Sequence, residues 1–167
     1  MTEDGIGART LRTEDKRFIT GHGRYTDDID LPGQAYAFFV RSPVAHARIE
    51  RLDVSAARQA PGVIGVLTGE DVAADGIGGL ICGWMVKSKD GSDMKAGAHP
   101  IIAKDKVRHV GDQVAVVVAR TYAQARDAAD LVEVDYDELP AVVDLATARE
   151  GALVHDEIAR NTVYEGE

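Results

Sequence analysis

The sequence predicts an α+β fold, and three observations lead to it. Short β-rich segments outnumber helical ones, and the helical segments are not interposed regularly between them. The strongest local signal is a continuous β-branched run, Gln113–Ala119, followed at once by a capped amphipathic helix. Regular strand–helix alternation would instead indicate a doubly wound parallel sheet.

Residues 1–33 carry many charges and glycines with little periodicity, and read as an extended arm ending in turns. Asp30-Leu31-Pro32-Gly33 is a turn with a mechanism, since Pro presets φ and Gly accepts a positive φ. Gln34–Arg41, with Tyr36, Phe38, Phe39 and Val40, is then a strand, and Ile49–Val54 is a second with imperfect alternation. Ser55 is placed to cap a short helix over 56–60, which Pro61-Gly62 stops. Val63–Thr68 is a third strand, and Glu70–Ala74 forms one helical turn. Residues 75–99 are rich in Gly, Ser, Asp and Lys without a period and read as a long loop, a class that is often functional or disordered.

Gln113–Ala119 has the composition of a strand buried on both faces. Thr121 and Gln124 fit a capping box: the Thr hydroxyl serves the third helical residue and the Gln reaches back. Ala125, Ala128, Ala129 and Val132 then fall at i, i+3, i+4 and i+7, a narrow stripe of small side chains that lets a helix lie close to a sheet. Val132, Val134 and Tyr136 alternate with Glu133, Asp135 and Asp137, giving a half-buried strand with an acidic outer face. Val142-Val143 reads as a further short strand, and Asp144 as the cap of a helix over 145–149. Val63–Ala74 and Val114–Ala125 share the order strand, threonine, helix.

Composition limits the functions available. At 167 residues the chain fits one ordinary domain, and such a domain buries roughly 70% of the surface its unfolded chain exposes. Asp and Glu number 28 against 19 Lys and Arg, a formal charge of −9, which disfavours a nucleic-acid or anionic membrane surface. The single cysteine, Cys82, forms no internal disulfide and no cysteine-based metal cluster. The N-terminus lacks a basic and an apolar segment in the order a signal peptide needs. No stretch reaches the ~20 apolar residues of a membrane helix. The expectation is a cytoplasmic protein without membrane insertion.

The residues that suggest chemistry have plainer readings. Gly21-His22-Gly23 has no preceding strand and no following helix, so it is a turn and not a dinucleotide fingerprint. Asp27, Asp28 and Asp30 lack the closing bidentate Glu of a calcium loop and read as an acidic turn. His22, His46, His99, His109 and His155 show no i, i+4 pairing, and His46 reads as packed and hydrogen-bonded. Ser42, His46 and Asp53 could be drawn as a triad, but no GxSxG elbow supports it. Cys82 reads as a small buried hydrophobe; Trp84 suits either a partner surface or the core.

Five runs, in order, resemble one family. They are Gly23-Arg24-Tyr25-Thr26-Asp27-Asp28-Ile29 with Leu31-Pro32-Gly33; Arg41-Ser42-Pro43-Val44-Ala45-His46-Ala47; Ala60-Pro61-Gly62-Val63 with Val66–Asp71; Val107–Ala115; and Val132–Val143. Ile6-Gly7-Ala8-Arg9, followed by Asp15–Tyr25, is similar to the same family's opening segment. Together they resemble the N-terminal part of the large, molybdenum-binding subunit of molybdenum hydroxylases, the aldehyde oxidase and xanthine dehydrogenase family. The Ile6–Thr20 segment looks closest to the carbon monoxide dehydrogenase branch. A local departure is Gly111-Asp112-Gln113, where many relatives have Gly-Gln-Pro.

The resemblance implies an α/β-hammerhead domain, a mixed sheet with a few short helices, over 34–150. An N-terminal arm over 1–33 would precede it, and a connector toward molybdenum-cofactor domains over 151–167 would follow. It implies a parent oxidoreductase that hydroxylates its substrate at a molybdenum–pterin centre, with a glutamate as base. Electrons would pass to 2Fe-2S clusters and FAD on partner subunits or domains. The family's cofactor motifs and catalytic glutamate lie beyond this region. No catalytic, cofactor-binding or metal-ligating residue is therefore assigned here, and Cys82 does not match the copper-binding cysteine of the carbon monoxide branch. The chain alone is expected to be inactive, a structural domain contacting the cofactor domains and the Fe-S and flavin subunits. The alternatives are a free-standing accessory subunit that assembles with separate cofactor-binding chains, and an unrelated small-molecule binder built on loop 75–99.

Overall fold

The computed structural model describes residues 12–166, and the chain divides into two compact units between Gln34 and Ala35. The Ile6-Gly7-Ala8-Arg9 run lies outside the described residues.

The first unit is more than an extended arm. A one-turn helix, α1 (Asp15–Ile19), precedes a 3-10 turn at Thr26–Asp28. A single turn is too short to show a hydrophobic period, which is why the sequence concealed it. Gly21-His22-Gly23 is a turn, and specifically the helix stop. Gly21 sits at φ 72, its N–H donates to Phe18 O at 3.1 Å, and the His22 N–H donates to Arg17 O at 2.9 Å. This pair of bonds is the Schellman pattern, which favours glycine at that position. Phe18 and Tyr25 then stack with ring centroids 5.0 Å apart. Gly23 lies directly against the Phe18 ring, where a Cβ would collide.

The second unit carries two three-stranded sheets, and every strand pairing is antiparallel. The first sheet has the order β1 (Tyr36–Arg41), β5 (Gln113–Ala119), β3 (Val63–Thr68). The second has the order β4 (Lys106–Val107), β2 (Ala47–Asp53), β6 (Glu133–Glu138). The helices are α2 (Ser55–Gln59), α3 (Gly69–Ala74) and α4 (Tyr122–Ala129). Strands outnumber helices and the helices are short, as an α+β fold requires.

The imperfect alternation of the second strand has a cause. Ile49 pairs with Tyr136 and Arg51 with Asp135, so Glu50 is an extra residue. Such a bulge shifts the side-chain phase by one position. β4 escaped the sequence reading because two residues carry no period.

Helices α2 and α4 cover one face of the first sheet. Their small residues Ala57, Ala128 and Ala129 meet Val66, Ala115 and Val117. The stripe predicted on α4 is the buried one: Ala125 and Ala128 have at most 1% of their surface exposed. A second cluster, Ala47, Ala103, Val107 and Val114, packs with Ile49, Val134 and Tyr136 of the second sheet.

The two strand–threonine–helix segments start their helices alike. Thr68 Oγ1 accepts from Asp71 N–H at 3.4 Å, and Thr121 Oγ1 accepts from Gln124 N–H at 3.2 Å. The first box closes: Asp71 Oδ2 accepts from the Thr68 N–H at 2.8 Å and from its hydroxyl at 2.7 Å. The Thr68 hydroxyl, then its N–H, holds the Asp71 carboxyl below its usual range. The second box does not close. The Gln124 amide lies over Gly62, a glycine at φ 81, and does not reach back.

Three local expectations need correction. Ser55 does not cap α2; Asp53 Oδ1 accepts the Ser55 N–H at 2.9 Å and supplies the acceptor from two residues earlier. Val142-Val143 forms no strand, and Val143 is 86% exposed. Residues 145–149 form turns and not a helix: Asp144 accepts from Ala146 N–H at 3.0 Å and from the Thr147 hydroxyl at 3.1 Å, but no apolar face propagates the helix.

Two substitutions test this packing. Ala128→Leu overfills the α4 contact with the sheet and is expected to cost about 1–3 kcal/mol. Thr68→Ala removes a cap that serves both partners and is expected to cost about 1 kcal/mol. Urea unfolding followed by circular dichroism reads both, and wild-type midpoints would refute the packing described.

Candidate functional site

Three of the five sequence runs, far apart in the chain, meet at one corner of the second unit. The Ser42 N–H donates to Asp112 O at 2.8 Å, and the Gly111 N–H returns a bond to Ser42 O at 2.8 Å. The Arg41 guanidinium donates to Gly111 O at 2.9 Å. The Arg108 N–H donates to Asp112 Oδ2 at 3.0 Å. These bonds tie the 41–47 run to the 107–115 run. The third run joins through His46, whose carbonyl accepts the Leu139 N–H at 2.8 Å and whose Nδ1 lies 3.0 Å from Pro140 O. A carbonyl only accepts, so Nδ1 carries the proton. The expectation for His46 holds: it is 5% exposed and hydrogen-bonded.

The corner is polar, buried and occupied with its own turns. Ser42 Oγ donates to Val44 O at 2.8 Å and accepts from the Val44 N–H at 3.2 Å. Asp53, the third member of the imagined triad, accepts from Ser55 and pairs with Arg51 at 3.4 Å. Ser42, His46 and Asp53 therefore form no relay. His46 Nε2 and the Tyr136 hydroxyl are buried and meet no partner of good geometry. Burial pushes the Tyr136 phenol up in pKa, Ser42 works against the rise and the Asp112 carboxylate adds to it. Nothing in this group pairs a nucleophile with a base, the arrangement covalent catalysis needs.

The other candidates scatter. Asp28 Oδ2 accepts the Tyr25 N–H at 2.8 Å, an acidic turn as read. His22 Nδ1 lies 3.1 Å from Thr20 Oγ1, and His109 Nδ1 lies 3.1 Å from Val110 O. Among the described residues no three His, Cys, Asp or Glu side chains converge to hold a metal ion. Cys82 departs from its expected burial. It is exposed, and its thiol donates to Trp84 O at 3.4 Å across an apolar loop that does not fold inward. Trp84, 72% exposed, takes the surface reading.

What the structure adds is exposed apolar surface. On the face of the first sheet away from α2 and α4, Phe39, Val116 and Leu67 align across β1, β5 and β3. Ala37, Val118 and Gly65 form the next row. Phe39 is 43% and Leu67 47% exposed, and the Arg41 guanidinium stands 5.6 Å from the Phe39 ring centroid. Nearby in sequence terms, loop 75–99 exposes Ile77, Leu80, Ile81, Trp84 and Met85, each by more than half. The signal for the open sheet face was legible. β5 is apolar on both faces, whereas among the described residues α2 and α4 cover one face. Among the described residues no helix is long and apolar enough to cross a membrane.

Comparison with known proteins gives this surface a context. The a/b hammerhead domain model of aldehyde oxidase and xanthine dehydrogenase matches residues 20–140. The nicotine 6-hydroxylase large subunit of Paenarthrobacter nicotinovorans is 41% identical over 154 residues, 92% of this chain and 18% of that one. The carbon monoxide dehydrogenase large chain of Afipia carboxidovorans is 40% identical over 146 residues, 87% of this chain and 17% of that one. The crystal structure of quinoline 2-oxidoreductase from Pseudomonas putida 86 superposes with a TM-score of 0.71 at 41% identity, covering 90% of this chain and 18% of that one. The chain thus spans less than a fifth of the length of these relatives. With the family model matching most of its length and its fold shared by these neighbours, the chain belongs to the molybdenum hydroxylases of the aldehyde oxidase and xanthine dehydrogenase family, as their α/β-hammerhead domain.

Proposed function

We propose that this chain is a non-catalytic structural domain of the large subunit of a molybdenum-dependent oxidoreductase of carbon monoxide, aldehyde or xanthine dehydrogenase type. The observation that carries this reading is the apolar face of the first sheet, where Phe39 and Leu67 stand about half exposed on either side of a buried Val116. A flat apolar face rimmed by polar residues marks a protein–protein contact, and here the partner is the region that holds the molybdenum–pterin cofactor. The exposed apolar side chains of loop 75–99 extend the contact. When bound elsewhere in the enzyme, the molybdenum–pterin centre supplies substrate hydroxylation, with electrons leaving to 2Fe-2S and FAD groups on partner subunits or domains. This chain's residues contribute shape: the corner of Ser42, His46 and Asp112 fixes three turns, and the sheets fix the docking face.

Two measurements test the proposal. The isolated chain is expected to bind no stoichiometric molybdenum by mass spectrometry and to show no dye-linked oxidation of aldehydes, purines or carbon monoxide; stoichiometric metal would overturn the assignment. Phe39→Glu with Leu67→Glu, placed in the native gene product, puts two carboxylates in a buried contact without disturbing the covered face of the sheet. Assembled, molybdenum-containing enzyme is expected to fall by roughly tenfold or more, the equivalent of ~1.4 kcal/mol. The isolated chain with both changes keeps its circular dichroism. Assembly at the wild-type level would exclude this face as the docking surface.

A further inference from the structure

Loop 75–99 contains almost no secondary structure of its own, only the bridge between Lys87 and Asp93. Its central part is a small hairpin closed by Met94 N–H to Val86 O at 3.0 Å and Ser88 N–H to Ser92 O at 2.9 Å, with Gly91 at φ 84 in the turn. Three further main-chain N–H groups of the loop find partners in the C-terminal segment. The Lys89 N–H donates to Glu165 O at 2.8 Å, and the Lys95 N–H donates to Val163 O at 2.9 Å. The Ala98 N–H donates to Glu157 Oε1 at 3.1 Å, and the Glu165 N–H donates to Ser88 Oγ at 3.3 Å.

The C-terminal segment is itself built to hold a shape. Asn161 adopts φ 50, accepts the Val154 N–H at 2.9 Å, and donates to Ala148 O at 2.9 Å and Ala152 O at 2.8 Å. Ile158 is 3% exposed. The Lys106 ammonium on β4, only 7% exposed, donates to both Asp156 oxygens at 3.0 and 2.8 Å. The Arg108 guanidinium donates to Val154 O at 3.2 Å. Lys106 lies on β4 and Arg108 belongs to the corner described above, so the segment is fastened to the sheet at one end and to the loop at the other.

We propose that residues 152–165 are a strap that holds loop 75–99 in its docking form, with Asp156 on Lys106 as the latch. Releasing the latch frees the loop while the sheet core stays intact. Naming the loop's form a docking form rests on the large-subunit reading; the mechanical coupling does not. The latch is asymmetric. Lys106 is buried, whereas the Asp156 side chain is 72% exposed and open to solvent protons. Losing Asp156 leaves a buried ammonium without its counter-charge, a costly state.

The strap's carboxylates share one direction of shift. The Lys106 hydrogen bond and charge hold Asp156 below its usual range, with Arg48 and Arg108 adding. The Ala98 N–H does the same for Glu157, helped by its own backbone, His155 and Arg108. Lys89 and Arg149 do so for Glu165. A carboxylate with a lowered folded-state pKa contributes stability in full above its unfolded pKa and loses it as pH falls through the folded one. These contributions to the strap are therefore lost on the acid side of the ordinary carboxylate range.

Hydrogen exchange on the 167-residue chain tests this. Lys106→Met with Asp156→Ala removes the latch without stranding a buried charge. Exchange at the Lys89, Lys95 and Ala98 amides is expected to rise by roughly tenfold or more, while Ala115–Val117 in β5 keep wild-type protection, as expected for a local opening. Asp156→Glu keeps the pair and is expected to restore slow exchange. Unchanged exchange at the three loop amides, or an equal rise in β5, would overturn the proposal. Because no partner is present, failure of the large-subunit reading would leave this exchange pattern in place.

Discussion

β5 is the constraint on which the second unit depends. It pairs on both edges, with β1 and with β3, and its side chains serve three surroundings at once. Ala115 and Val117 face the α2 and α4 layer, Val114 joins the cluster shared with the second sheet, and Val116 looks out between Phe39 and Leu67. A strand can serve both sheet faces only if it is apolar at every position, because its side chains alternate between them. Val114–Ala119 meets that demand. The strand also carries an irregularity: Val40 pairs with Ala115 and Arg41 with Gln113, so Val114 is the extra residue. The bulge turns Val114 toward Ala47, Ala103 and Val107 and so couples the two clusters.

The polar corner follows from where β5 begins. Asp112 precedes the strand, and its carbonyl, carboxylate and neighbour Gly111 bind the turn that ends β1 and the backbone of Arg108. Ser42 and His46, which taken singly suggest a nucleophile and a base, complete turns that would otherwise bury unpaired main-chain groups, a costly arrangement. Three of the runs that carried the family resemblance are thus one structural object. Within this chain they meet as turns where strands enter and leave.

How much of this was legible depended on the range of the interaction. Val63–Thr68 and Gln113–Ala119 were readable to the residue because each strand carries its signal within itself. The Thr121 cap was readable because capping acts over three residues, although the return bond from Gln124 is not made. α1, β4 and the bulge at Glu50 were not, since a five-residue helix and a two-residue strand hold too few positions for a period. Cys82 was misread for a related reason. Burial of a loop residue depends on what the loop packs against, and Ile81 at 94% exposure shows that this part of the loop does not fold inward. The corner at Ser42 and His46 was also hidden, because its contacts join residues up to 94 positions apart.

The formal charge of −9 also acquires a location. On the second sheet Arg51 gathers Asp135 at 2.8 Å, Glu133 at 3.0 Å and Asp53 at 3.4 Å, so the acidic outer face of β6 is neutralised in part by β2 beside it. These carboxylates hold the Arg51 guanidinium above its ordinary range, Asp135 most strongly. Exposed ion pairs of this kind contribute little stability; their effect is to keep a sheet face wettable. The open face of the first sheet has no such set of charges on its central rows, and Arg41 lies over Phe39 at its margin. Two sheets with opposite outer surfaces give the unit a polarity. One side carries the Arg51 ion pairs, and the other leaves Phe39 and Leu67 about half exposed, an asymmetry in the unit's surface. A domain that is less than a fifth of its relatives' length would use it to settle which side faces the rest of the enzyme.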